Sequence, residues 1–225
     1  MGNIELYLIR HGESEINTQP HLLSGRANLS ELTYRGENQA KLLGKYLVGE
    51  NLVPNSVFVS PALRAQQTAE IVLGTMADEM PTIFDVPTKI VKQIQERSMG
   101  RWEGKPAREM YTQKRIDKSI RLGKDFRPPS GESMNQVGNR MLRWSESLIL
   151  DYLKPESNSI IFGFGHGGAI KHFASTIEGW THEETRNTKM PHASISKFVY
   201  LGDKWCVEYV GRPTQSQNLE NNLQS

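Results

Sequence analysis

Residues 4–17 read IELYLIRHGESEIN, and the two halves of this stretch differ in kind. Ile4 to Ile9 is an apolar run of strand length, bounded by polar residues, and reads as a buried strand. It runs directly into Arg10-His11-Gly12-Glu13, a polar cluster at the strand's carboxyl end. A second segment repeats the arrangement: residues 159–164 (SIIFGF) form an apolar strand that runs into GHGG, with His166 at its end. The short strand 57–59 likewise opens onto Ser60-Pro61 and Arg64.

Helical patterns lie between these strands. Residues 33–48 place Ala40, Leu43 and Leu47 at helical spacing, and the helix after Ser60-Pro61 carries Ala65, Ala69 and Val72. Ser60 reads as its N-cap and Pro61 as its first residue. Residues 133–152 give the clearest helix, lined by Val137, Met141, Trp144 and Leu148 and opened by a Ser133–Gln136 capping box. Residues 88–94 read as another strand. Residues 96–129 read as polar and irregular, with a short helix near 106–115. Residues 194–201 and 205–210 form a hairpin turning at Gly202-Asp203.

Alternating strands and helices predict an α/β fold, a three-layer α/β/α sandwich with a mostly parallel central sheet of about six strands. Ligands of such sheets sit outside the carboxyl ends of the strands, where the three polar clusters fall. Residues 1–213 are expected to form a single domain, and the Gln/Asn/Ser-rich 214–225 a disordered tail.

Of the 225 residues 37% are hydrophobic and 23% charged, with a formal net charge of +2. That balance fits a soluble globule, and no Lys/Arg run argues for nucleic acid. The N-terminal sequence lacks a signal-peptide pattern, Leu6 breaks the myristoylation pattern, and no apolar stretch reaches bilayer length. No membrane span and a cytoplasmic location are expected. Cys206 is the single cysteine, which excludes an intrachain disulfide.

A neutral imidazole is a competent nucleophile toward phosphorus, and His11 stands beside Arg10, whose planar fork matches phosphate oxygens. Gly12 lets backbone approach closely. Arg64 lies in the first turn of a helix, where an anion would meet guanidinium and helix dipole together. His166 and Gly167 open another helix in the same way. Taken singly, each also reads as a packed or solvated residue; their equivalent strand-end positions argue for convergence. A carboxyl beside a bound phosphate holds its proton more tightly and can serve the leaving oxygen. Glu96 and Glu103 both qualify, and residue chemistry does not choose between them. His172, His182 and His192 lack metal-ligand spacing and read as structural or surface groups, with His182 near a helix start. Cys206 and Trp144 read as core.

In order along residues 4–213, RHGESEIN (10–17), Ser24-Gly25, Leu32-Thr33 with Gly36 and Gln39-Ala40, SPALRAQQTA (60–69), Glu96 with Gly100 and WEG (102–104), GES (131–133) and GHGG (165–168) resemble the motifs of the histidine phosphatase superfamily, or phosphoglycerate mutase-like family. RHG alone is modestly specific; the whole series is highly so. The resemblance implies that His11 is phosphorylated, that Arg10, Arg64 and His166 bind the phosphoryl group with help from the Gly167 amide, and that Asn17, Ser24 and Gly25 lie near phosphate or substrate. It selects Glu96 over Glu103 as general acid and implies no metal.

Family members of the mutase branch typically carry Tyr and Lys three and eleven residues after the acid, where this chain has Met99 and Ala107. The RWEG segment is more similar to phosphatase members. A phosphomonoester phosphatase acting on a small phosphorylated metabolite is therefore expected, without a cofactor. The alternative is a 2,3-bisphosphoglycerate-dependent phosphoglycerate mutase, which would use that bisphosphate as primer. A third reading is a non-catalytic phospho-ligand or protein-binding module, against which stand His11, His166 and Glu96. Arg26 and Asn28 replace the family's common Trp and Asp, so the substrate end is altered. The C-terminal hairpin edge could pair with a second copy to form a homodimer.

Overall fold

The computed structural model describes residues 2–214. Six strands form one sheet in the order β3-β2-β4-β1-β5-β6. β1 (Ile4–Arg10), β2 (Ser56–Val59), β3 (Thr88–Ile90) and β4 (Ser159–Gly165) are mutually parallel, and β5 (Ile195–Tyr200) and β6 (Trp205–Arg212) add an antiparallel hairpin at one side.

The two faces follow from strand alternation. Tyr7 and Ile9 of β1 pack with Val57, Val59, Phe162 and Phe164 under α1 (Tyr34–Gly49) and α2 (Leu63–Ala77). Ile4, Leu6 and Leu8 face the other way, under α5 (Met134–Tyr152) and α6 (Gly167–Glu178). This is the expected three-layer sandwich. Gly163 is required on the second face, because a Cβ there would lie 2.6 Å from Leu8 Cδ2. Trp144, expected in the core, is buried in it. No helix among the described residues is long and apolar enough to cross a membrane.

Helix ends mostly obey their sequence signals. Thr33 caps α1 by accepting from the Gly36 amide, and the Ser133–Gln136 capping box opens α5 with both reciprocal bonds made. α2 departs from expectation: it begins at Leu63 after Ala62, not at Pro61 after Ser60. Its first amide donates instead to the Asn28 carbonyl, and the Ser60 hydroxyl is engaged with His166.

The strand expected over 88–94 stops at Ile90, and Lys92–Ile94 forms a 3-10 turn that drives Ile94 into the core. Arg140 holds this turn by donating to the carbonyls of Gln93, Gln95 and Glu96. The segment expected to be irregular contains α3 (Ala107–Met110) and the ten-residue α4 (Gln113–Leu122), followed later by α7 (His182–Asn187), where His182 is the first helical residue. The expected tail, Thr214 apart, lies outside the described residues. Cys206 sits half-buried on β6 rather than in the core, because its side of the edge strand is only partly covered.

Candidate active site

β1 and β4 end side by side, with Arg10 opposite Gly165. The next residue, His11, donates its amide to the Gly165 carbonyl at 3.0 Å and accepts from the Ala193 amide at 3.2 Å. Backbone bonds on both sides therefore fix its position. Gly12 is needed for close approach of chain to chain: a Cβ there would lie 2.5 Å from the Gly36 carbonyl of α1.

The His11 ring is buried, 3% exposed, and its Nδ1 lies 2.6 Å from the Gly12 carbonyl. A carbonyl only accepts, so Nδ1 carries the hydrogen and Nε2 keeps its lone pair. Arg64 Nε donates to that Nε2 at 3.1 Å, consistent with the same tautomer. Burial, then the neighbouring His166, Arg64 and Arg10, hold the His11 pKa well below the ordinary imidazole value. His11 is thus a neutral imidazole whose unprotonated nitrogen is Nε2.

Arg64, the second residue of α2, is 2% exposed. It also donates to the Ala27 carbonyl at 2.8 Å and to His166 Nδ1 at 3.2 Å. His166 stands at the N-cap of α6 and, with Nδ1 accepting, donates from Nε2 to Ser60 Oγ at 2.8 Å. Burial and the nearby arginines lower its pKa well below the ordinary value too. The rings of His11 and His166 meet edge to face with centroids 5.1 Å apart. Arg10 reaches the Met190 carbonyl with Nη1 and His192 Nε2 with Nη2, the latter at 2.7 Å. Burial lowers its pKa to about 10, which leaves it a cation at neutral pH.

Glu96 faces these cations from the turn that Arg140 holds. Its Oε2 accepts from the Gly168 amide at 3.0 Å and its Oε1 from the Arg97 amide at 2.7 Å. Gly168 leaves room for it: a Cβ at 168 would collide with Glu96 Oε1. Glu103 does not join the site; its Oε1 accepts from Ser98 Oγ and the Met99 amide and closes its own loop.

A cavity of about 300 Å³ opens over this cluster. Arg10, His11, Asn17, Ser24, Arg64, Glu96 and Gly167 all line it, and His166 lies beneath, bonded to Arg64. Gly25 does not reach the wall. Its φ of +47° and the Glu103 side chain, 2.6 Å from a Cβ built there, give it a turn role that only glycine fills without strain. Asn17 Oδ1 accepts from the Ser14 amide and hydroxyl.

Sequence reasoning missed two groups. Lys171, one turn into α6, lines the cavity. His192, read as structural or surface, contacts Arg10 and lies 3.2 Å from Asn17 Oδ1. A signal for it existed: β5 runs antiparallel to β1, with Ile9 opposite Ile195, so residues just before β5 must neighbour those just after β1. His172, by contrast, is buried away from the cavity in α6. Trp102 packs with Met99 and Phe126.

The buried histidines make stability depend on pH. His11, His166 and His172 are at most 4% exposed, and each has a pKa lowered by burial, that of His172 to about 3. Below the unfolded value of 6.5 the unfolded chain binds protons that the native state refuses, so stability falls as pH falls. Between about pH 6 and pH 5 His172, with its pKa at about 3, removes about 1.4 kcal/mol, and His11 and His166 act in the same direction. Urea midpoints measured across that window should drop steeply; a flat profile would mean that these rings are not held neutral.

The family description "Histidine phosphatase superfamily (branch 1)" matches residues 6–212. The probable phosphoglycerate mutase GpmB of Serratia proteamaculans is 28% identical over 222 residues, covering 94% of each chain. The fructose-2,6-bisphosphatase TIGAR B of Danio rerio is 31% identical over 157 residues, covering 69% of this chain and 57% of that one. Among solved structures, YhfR of Bacillus stearothermophilus superimposes with a TM-score of 0.76 at 25% identity, covering 94% of this chain and 98% of that one. A match running from β1 to β6 through every element that supplies the cavity places the chain in branch 1 of the histidine phosphatase superfamily.

Proposed function

We propose that the protein is a phosphomonoester phosphatase that works through phosphohistidine at His11, within a single catalytic domain of residues 1–213. The observation that carries this reading is the His11 ring itself: neutral, with Nδ1–H tied to the Gly12 carbonyl and the Nε2 lone pair beside Arg64.

In the first step Nε2 attacks phosphorus, and the bond from phosphorus to the ester oxygen breaks. The Glu96 carboxyl delivers its proton to that oxygen, and the alcohol leaves. Arg10, Arg64 and the Gly167 amide hold the equatorial oxygens, where charge is spread in the transition state. His166 takes up a proton at Nδ1 as the phosphate dianion enters, since a neighbouring negative charge favours imidazolium, and donates to the same group once Arg64 Nη2 has turned from Nδ1 to the phosphate. The Gly12 carbonyl stabilises the positive charge that His11 gains on phosphorylation. Water then attacks phosphorus, the Glu96 carboxylate accepts its proton, and the N–P bond breaks to restore Nε2. Asn17 and Ser24 border the leaving group, and Lys171 adds a cation to the wall. The substrate class is a small phosphorylated metabolite, and 2,3-bisphosphoglycerate would be a primer only for a mutase.

The mutase reading has the GpmB likeness in its favour, since that relative is named a probable phosphoglycerate mutase. Against it, Met99 and Ala107 stand where mutases carry Tyr and Lys, and Met99 is packed with Trp102 and Phe126. One experiment separates the readings: phosphate release from p-nitrophenyl phosphate, sugar phosphates and 3-phosphoglycerate, beside a coupled assay for 2-phosphoglycerate. Release is expected to dominate. Isomer formation that depends on 2,3-bisphosphoglycerate, with little release, would overturn the phosphatase reading in favour of the mutase. Inactivity in both assays would favour a binding module.

A further inference from the structure

A second cavity lies apart from the catalytic one. It measures about 470 Å³, within the range of small-ligand pockets, about 300–1,000 Å³. None of Arg10, His11, Arg64, Glu96 or His166 lines it. α4 contributes Ile116 and Ile120, four residues apart and so on one helix face; Ile120 is 68% exposed. α7 contributes His182 and Arg186, also four apart, and Arg97 and Phe126 complete the principal lining.

The chemistry of this lining is divided. One side is aliphatic and aromatic. The other presents two guanidiniums that have no carboxylate within ion-pair distance among the described residues. The Arg97 guanidinium donates to the Glu132 and Phe126 carbonyls, through Nε and Nη2. The positive field is also felt by His182, whose pKa is lowered by burial and then by Arg186, Arg97 and Lys124. Residues 101–127, which include α4, carry nine Lys/Arg against four Asp/Glu, in a chain whose net charge is only +2. An unpaired cationic pair facing an apolar wall is complementary to a molecule with an anionic head and an apolar body.

We propose that this cavity is a second ligand site, distinct from the phosphoryl pocket, for a small amphiphilic anion such as an alkyl or aryl carboxylate, sulfonate or phosphate. The head sits between Arg97 and Arg186, and the body lies on Ile116, Ile120 and Phe126. Its ligand would touch the residue next to Glu96, because the Arg97 amide donates to Glu96 Oε1.

The test is a fluorescence titration of the full chain with anilinonaphthalene sulfonate, with octanoate, orthophosphate and phosphatidylglycerol vesicles as competitors. Saturable binding is expected, displaced by octanoate and not by orthophosphate, which goes to the His11 pocket. Arg186→Glu and Ile120→Asp, both at exposed positions, should each weaken binding about tenfold with unchanged circular dichroism. Absence of saturable binding, equal affinity in both variants, or displacement by orthophosphate as complete as that by octanoate would overturn the proposal. So would displacement by vesicles alone, which would move the binding to a membrane surface.

Discussion

His11→Ala is expected to lower turnover of every phosphomonoester by at least about 10⁴-fold. The reason is mechanistic. If the phosphoryl group must pass through Nε2, no other side chain on the cavity wall can replace it. The neighbouring His166 has its Nε2 committed to Ser60 and its Nδ1 to Arg64. Arg10, Arg64 and Glu96 survive the substitution, so binding of orthophosphate should persist, and the loss should fall on kcat. Folding should persist as well, because the strand-end position is fixed by backbone bonds to Gly165 and Ala193 that alanine also makes. Steady-state phosphate release, with circular dichroism as control, measures this. Activity within tenfold of wild type would remove His11 from the chemistry.

Glu96→Gln should divide substrates by leaving group. An alkyl ester departs as a strongly basic alkoxide unless a proton arrives, and general-acid catalysis typically contributes about 10²–10⁴-fold. An aryl ester such as p-nitrophenyl phosphate leaves without help and should be slowed much less in the first step. Glutamine is close in shape, but its NH₂ cannot accept from the Gly168 and Arg97 amides as both carboxylate oxygens do. Gly168→Ala gives an independent approach to the same carboxyl, since its methyl would displace Oε1, and it should reproduce the alkyl-selective loss. Equal losses on alkyl and aryl esters in the phosphorylation step of both variants, read as the pre-steady-state burst rate, would mean that Glu96 does not supply the proton.

Much of this arrangement is legible in the sequence, because it rests on local signals. IELYLI and SIIFGF are unambiguous buried strands, and both end in a histidine-bearing turn; parallel pairing then brings His11 and His166 together. The amphipathic stripes of α1, α2 and α5 fix the two outer layers. What escaped reading depends on contacts distant in sequence. Ser60 looks like an N-cap because its chemistry suits one, yet its hydroxyl serves His166 while the Asn28 carbonyl caps α2. Residues 92–94 look like strand, but Ile94 turns inward and Arg140 secures the turn. α4 has only Ile116 and Ile120 for an apolar face, and Ile120 is exposed, so it carries no core stripe to recognise. His192 enters the site only through the antiparallel pairing of β5 with β1.

The choice between Glu96 and Glu103 was equally closed to residue chemistry. Both lie in one polar segment, and motif resemblance alone preferred Glu96. The geometry separates them physically: Glu96 faces Gly168 at the start of α6 on the cavity wall, whereas Glu103 folds back onto its own loop.

The most direct measurement is rapid-quench trapping of labelled phosphate on the protein during turnover, with the modified residue located by peptide mass analysis. The account predicts phosphate that is acid-labile and alkali-stable, bound to His11, absent in His11→Ala, and accumulating in Glu96→Gln on an aryl ester because the hydrolytic step has lost its base. Undiminished turnover with no phosphate on His11, or with label on another residue, would contradict it.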